Sequence, residues 1–407
     1  MNKTRIKRKP WTFMVYMAGD NNLDPDGIVD LREMKKVGST DDVNVIAQFD
    51  RASGRASKRY YLRKGGTVAK DAVASLGQIN TGDPKNLLDF IRWGVKQYPA
   101  ERCGLVLWNH GQGWDDTDLF AEDRHRGLRR LATGSVRHAL FHAPVRTMLK
   151  KAVRDVETRA ILIDEGAKDF LDNIEMKKVL TQAASLLGKK LDVLGMDACL
   201  MSMAEVGYQI RQCAAFTVGS EETEPSEGWP YDLILSELVK HPSMTGKDLG
   251  AVIVDKYLAS YSDDAVTQSA CDLSKADVLA SSIEGLAAAL KAGLADGVLF
   301  KHLLSVRGQV QAYYVRDYVD LVDFCSLLAQ AAAGSEIESC CGKVVRAVQS
   351  GYVVKQGYKG DDMRHSNGVS IYFPTSTVSP LYSGLDFDRQ TQWGSFLTAY
   401  TKAIRNR

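Results

Sequence analysis

The chain has 407 residues, with 52 Lys and Arg against 50 Asp and Glu, for a formal net charge of +2. Apolar residues make up 45% and charged residues 25%, enough to build a packed core and too apolar for a disordered chain. The near-neutral balance excludes a dedicated nucleic-acid coat, and no run of 18 apolar residues is present to span a membrane.

The first residues, MNKTRIKRKP, are basic, but WTFMVYMAGDNNLD turns polar too soon for a signal-peptide core. The stretch predicts a first strand over 11–18 and a cytoplasmic protein. Its near-continuous apolar run fits a strand buried on both faces. A helix over 26–37 follows, then a strand over 43–50 with a short partner at 59–63. Leu87, Leu88, Ile91 and Val95 recur at three- and four-residue steps, so 84–98 predicts an amphipathic helix. Another buried strand covers 104–108.

An interruption comes next. Residues 124–159 hold ten Lys and Arg against two acids, Asp155 and Glu157, a net charge of +8 that leaves about −6 for the rest. The part RHRGLRRLATGSVRH has no periodicity and reads as an exposed loop. From Val145 the apolar residues share one helical face, and Pro144 suits the start of such a helix.

The alternation then resumes with helix 173–187, strand 191–196, helix 203–212 and strand 216–219. Such βα alternation predicts an α/β fold with a largely parallel sheet covered by helices on both sides. The second half predicts helices over 246–261, 274–292, 319–332, 336–350 and 393–404, and strands over 266–272 and 369–373. The expected organisation is a core over 10–275, with the basic insertion at about 122–159. A helix-rich C-terminal region over 276–407 returns the strand 369–373 to the main sheet.

Seven scattered cysteines, with no CxxC and no Cys/His cluster at zinc spacing, predict neither a disulfide framework nor a zinc site. Each is by default a small buried apolar residue. Cys199 is the exception. LVLWNHGQGW ends a strand at His110, and LDVLGMDACLMS ends another at Cys199. Reacting groups collect at the carboxyl ends of parallel strands, so a base and a thiol share one edge. The pairing has a chemical reason: a free thiol is mostly protonated at neutral pH, and an imidazole can take its proton. Gly111 lets its backbone N–H approach a substrate carbonyl, and with the Cys199 N–H it forms an expected oxyanion hole. Asp197, two residues before the thiol, faces the same side of its strand.

These motifs resemble the clostripain family of cysteine peptidases, in the clan of caspases, gingipains and legumain. The resemblance runs through VYMAGDNNLD at 15–24, NHGQGW, the DAC segment with LMSMAEV, KDFLDNIEMKKVL at 168–180 and SEETEPSEGWPY at 220–231. It continues in YVDLVDFC at 318–325, GVSIYFP at 368–374 and WGSFLTAY at 393–400. It implies a caspase-like α/β/α sandwich and peptide cleavage after basic residues by a Cys199–His110 dyad. It also implies that Asp197 lies in the basic side-chain pocket, where a bidentate carboxylate contact favours Arg over Lys. Glu221, Glu222, Glu224 and Glu227 form an acidic run whose members, Glu221 and Glu227 first, are weaker candidates for that pocket. Relatives are often processed between the histidine and cysteine segments, which makes Arg126, Arg129, Arg130 and Arg137 the self-cleavage candidates.

Asn22, Asp24, Asp26, Gly27 and Glu33 mimic the spacing of a calcium loop, but a buried strand stands where such a loop needs a helix. Helix capping by the acids is the preferred reading. The expectation is a reaction that requires no cofactor, with calcium lacking a convincing site. Expected partners are peptide or protein substrates, without nucleic acid or membrane, and the chain is expected to be a monomer. Two other readings are a cysteine amidase or transpeptidase with the same dyad, and a non-catalytic protein that binds an acidic partner through the basic segment.

Overall fold

The computed structural model describes residues 8–52, 54–115, 161–262 and 264–406. The predicted loop and helix of the basic insertion lie outside these residues. The main sheet is built on β1 (Lys9–Gly19), which pairs in parallel with β2 (Val43–Arg51) on one side and β5 (Ala100–Trp108) on the other. Two further parallel strands follow β5: β8 (Leu191–Asp197), then β9 (Ala214–Gly219). Antiparallel strands finish both edges. β3 (Arg55–Tyr61) and β4 (Ala72–Gly77) lie beyond β2, and β10 (Val266–Asp272) and β12 (Val353–Lys359) lie beyond β9.

The period of two along a strand explains the two-sided core. On β1, Met14, Tyr16 and Ala18 join the cluster on one face, while Phe13, Val15 and Met17 join the cluster on the other. α2 (Pro84–Gln97), α3 (Asn173–Leu187) and α4 (Ala204–Ile210) bury their apolar residues in the first cluster. α1 (Asp24–Val37), α5 (Tyr231–Lys240) and α6 (Gly246–Ser260) bury theirs in the second. This is the expected α/β/α sandwich. Local chemistry sets its joints. Asp172 and Glu175 form a capping box at the start of α3, and Gly188 ends that helix in the left-handed conformation at φ 69°. A small hairpin of β6 (Ile161–Asp164) and β7 (Asp169–Leu171) lies against β1.

The C-terminal helices α7 (Ala276–Gly293), α8 (Gly297–Gln309), α9 (Leu321–Ala331), α10 (Glu336–Ala347), α11 (Asp386–Thr391) and α12 (Trp393–Arg405) extend the first cluster. One expectation is corrected here. The strand predicted at 369–373 does not return to the main sheet: β13 (Ser370–Tyr372) pairs with β11 (Tyr318–Asp320) in a separate two-stranded sheet. The strand that does return is β12, whose VVKQGYK sequence is only half-buried, as suits an edge. SIY is fully buried in its small sheet, where the Tyr372 carbonyl accepts the Trp393 indole N–H of α12 and the Tyr372 N–H donates to Glu205 of α4. Apolar character therefore marked burial correctly without naming the sheet.

Candidate active site

β5 and β8 lie side by side in register, with Trp108 opposite Asp197. Their adjacent carboxyl ends bring His110, Asp197 and Cys199 into one cleft, also lined by Leu23, Trp108, Asn109, Ala198, Glu224, Pro225, Ser226 and Gly228. The cleft offers about 30 Å³ of space, room for a water or two, and is partly open to solvent.

Cys199 is 5% exposed, and burial pushes its thiol up to about 12. Its Sγ accepts the Glu224 backbone N–H at 3.3 Å, and its own N–H lies against the thiol. Burial lowers His110 to about 4. The resting pair is therefore neutral at neutral pH, a thiol beside an imidazole rather than an ion pair. The turn after Cys199 is strained: Leu200, fully buried, has φ 64°, a left-handed conformation that costs a leucine about 1–3 kcal/mol. Its N–H donates to the Glu222 carbonyl at 3.1 Å, and the Ser202 N–H donates to Ser220 at 2.8 Å. These bonds tie the turn after Cys199 to the loop after β9.

Gly111 packs directly on this turn. A Cβ there would lie 2.7 Å from the Cys199 carbonyl oxygen and 2.8 Å from the Ala198 Cβ. Gly111→Ala is therefore expected to push the two strand ends apart and lower kcat about 100-fold, the scale on which an ångström of misplacement acts. Steady-state kinetics beside a thermal melt check this, and wild-type kcat would show that the contact does not hold the nucleophile.

Asp197 is 5% exposed, accepts the Tyr231 hydroxyl at 2.7 Å and the Trp229 backbone N–H, and is pushed up to about 6 by burial. Glu224 is hydrogen-bonded to it, and burial together with the Asp197 charge raises Glu224 well above the usual carboxyl range. Gln268 donates to Glu224 at 3.1 Å. Two carboxyl groups this close hold a proton between them. Asp30 lies behind them, holding the Trp108 indole N–H at 2.7 Å and raised to about 9 by burial and the Asp197 charge.

The weaker pocket candidates divide. Glu227 is exposed beside the cleft, near Asp26. Glu221 lies elsewhere: it accepts the Tyr313 hydroxyl at 2.8 Å and the Gly368 N–H at 3.0 Å, next to buried Asp320. Arg126, Arg129, Arg130 and Arg137 lie outside the described residues. The calcium-like residues are engaged separately. Asn22 meets His110, Asp24 holds Arg51 and Arg55, and Gly27 sits in α1 against Phe49. Asp24 and Asp26 occupy the first turn of α1, but its N-cap is Leu23, with no side-chain cap bond. Among the described residues no group of three or more His, Cys, Asp or Glu is arranged to hold a metal. The sequence named Glu224 only as a member of the acidic run 221–227 that could add to the basic pocket, ranked below Asp197. It did not connect Asn22 with the site, since nothing in NNLD points to a histidine far along the chain.

A caspase-like sandwich with a buried thiol and an imidazole at the carboxyl edge of its parallel strands defines a class of cysteine peptidase fold. The sequence model of the clostripain family matches residues 15–150 and 146–401. The chain belongs to the clostripain family. Clostripain of Hathewaya histolytica is 27% identical over 265 residues, which cover 57% of this chain and 43% of that protein. The chain thus matches less than half the length of this curated relative. The structure of an inactive zymogen C11 protease from Parabacteroides distasonis aligns with a TM-score of 0.66 at 20% identity, over 95% of this chain and 99% of that one. A secreted C11 cysteine protease from Bacteroides thetaiotaomicron, solved with an irreversible peptide inhibitor, aligns at 0.63 and 20% identity over 96% of this chain and 99% of that one. At these identities the two structures establish the shared fold. Among the described residues no helix is long and apolar enough to cross a membrane. With the second protein described as secreted, the comparisons lend no support to the cytoplasmic expectation.

Proposed function

We propose that the protein is a cysteine endopeptidase that cleaves after basic residues, Arg ahead of Lys, with Cys199 as nucleophile and His110 as base. The observation that carries this reading is a single cleft holding the thiol, the imidazole and the buried Asp197–Glu224 pair. In the reaction, the Cys199 proton passes to His110 and the thiolate attacks the scissile carbonyl carbon. Backbone N–H groups of Cys199 and Gly111 receive the developing oxyanion. His110 then returns the proton to the leaving amine, and water releases the acyl group by the reverse sequence. No cofactor enters these steps. The guanidinium of the preceding residue pairs with Asp197 in a site with little water, where such a pair is strongest.

The reading includes self-processing at Arg126, Arg129, Arg130 or Arg137, because an Arg-directed enzyme meets ten basic residues of its own at 124–159, between its two site motifs. Fluorogenic Arg, Lys, Asp and Asn peptides test the specificity: hydrolysis is expected in the order Arg, Lys, then neither acid nor amide. A denaturing gel tests the processing. Wild-type protein should give fragments of about 14–15 and 30 kDa, estimated from roughly 110 Da per residue and a cut in an exposed loop. Cys199→Ala should stay one band at 44.8 kDa. An intact, fully active wild type would overturn processing and leave the peptidase reading standing.

A further inference from the structure

The dyad leaves the NNLD turn after β1 without a task, yet this turn reaches the imidazole. His110 Nε2 lies 2.8 Å from Asn22 Oδ1. An amide oxygen only accepts, so Nε2 carries the proton and Nδ1 keeps its lone pair. The residues just before each partner lock this arrangement. Asn21 Nδ2 donates to the carbonyls of Ala18 and Ile163, both at 3.0 Å, while its Oδ1 accepts the Leu23 N–H at 2.9 Å. Asn109 donates to the same two carbonyls and accepts the Ile163 N–H at 2.9 Å. Two asparagines from different strand ends thus grip one pair of carbonyls, and the next residue of each, Asn22 and His110, meet above the clamp.

We propose that Asn22 is a positioning residue for the reaction: it fixes His110 as the Nε2–H tautomer, so that Nδ1 is the nitrogen that takes the Cys199 proton and later gives it to the leaving amine. This rests on the Cys199–His110 reading. When Nδ1 takes the proton, the imidazolium keeps donating Nε2–H to Asn22, so the ring does not have to turn between acylation and release. A neutral amide orients the ring without making it more basic, in keeping with the low His110 value, to which burial is the contributor. The titratable groups around the ring are Asp197, Cys199 and Glu224 across the cleft, Asp20 and Asp26 flanking the Asn22 turn, and Glu165, whose N–H donates to the Asp20 carbonyl.

The test uses the purified full chain on a saturating Arg peptide, with wild type, Cys199→Ala, Asn22→Ala and Asn22→Asp side by side. Asn22→Ala should lower kcat about 10- to 100-fold, part of the 10²–10⁴ that a positioned base supplies, with KM held within about twofold. Asn22→Asp keeps the shape and adds a charge that favours imidazolium, so the acid limb of its kcat profile should move up by about one pH unit. Saturation matters because the bound guanidinium holds Asp197 ionised, leaving the limb to His110. Wild-type kcat in Asn22→Ala overturns the proposal. So does a loss in Asn22→Ala with an unmoved limb in Asn22→Asp, which marks a residue that only supports the turn. In both cases an inactive Cys199→Ala leaves the dyad standing, whereas turnover in Cys199→Ala overturns dyad and positioning together.

Discussion

Cys199→Ala is expected to abolish peptide hydrolysis, lowering kcat by about 10⁴-fold or more, while the protein stays folded. The size follows from the loss of the nucleophile: what remains is binding and oxyanion stabilisation, a small part of the whole. Folding survives because the thiol sits at a cleft edge. Removing it deletes one sulfur and leaves the Glu224 N–H without its acceptor, a cost of about 1 kcal/mol. The informative control is another buried cysteine of the same sheet. Cys271 lies on β10, its sulfur 3.9 Å from Ser269 Oγ and 4.0 Å from the Gly368 carbonyl, outside the cleft. Cys271→Ala should keep wild-type kcat. Hydrolysis that survives in Cys199→Ala and disappears in Cys271→Ala would reverse the assignment.

The neutral resting dyad follows from the same geometry. A thiol near 12 beside an imidazole near 4 is not ionised in advance. The Glu224 N–H on the sulfur and the burial that raises the thiol describe a resting state in which the thiol is held rather than activated. Reactivity toward a small thiol reagent should then be slow compared with that toward an Arg-bearing reagent of equal warhead.

What sequence patterns revealed, and what they hid, depends on the range of the interaction. The run over 11–18 is buried on both faces, and α3 keeps its predicted bounds because a capping box starts it and a glycine ends it. His110 and Cys199 were legible because strand ends and glycines are local features. α8 and α5 were missed although Leu299, Phe300, Leu303 and Val306, and Ile234, Leu235 and Leu238, recur at helical spacing. β12 was hidden because VVKQGYK alternates only weakly, although Gln349, Ser350 and Gly351 separate it from α10. Asn22 was not legible as a cleft residue, and Glu224 only as one of four acids in a run, for a different reason. Asn22 meets His110 across 88 residues and Glu224 meets Cys199 across 25, and no local period encodes such a meeting.

Asp197→Ala should reduce kcat/KM for Arg peptides at least 100-fold, about 3 kcal/mol for a guanidinium–carboxylate pair withdrawn from water. Lys peptides should lose less, because an ammonium makes no bidentate contact. Glu224 sets the resting charge of the pocket. Burial raises both carboxyls, Glu224 the more strongly, so the pair keeps one shared proton and one negative charge at neutral pH. The sign of the pH effect follows. A carboxyl is charged above its pKa, so Arg selectivity is present above about 6 and fades as pH falls through that value. The acid limb of kcat/KM reports groups of the free enzyme. For Arg peptides it should stand near 6, where Asp197 protonates. For a citrulline peptide, equal in shape and uncharged, it should stand near 4, where His110 protonates. In Asp197→Ala the limb near 6 should vanish for the Arg peptide, leaving both peptides with the limb near 4. Equal losses on Arg and citrulline peptides would mean that removing Asp197 frees the Tyr231 hydroxyl and deforms the cleft, and the carboxylate would then be structural rather than selective.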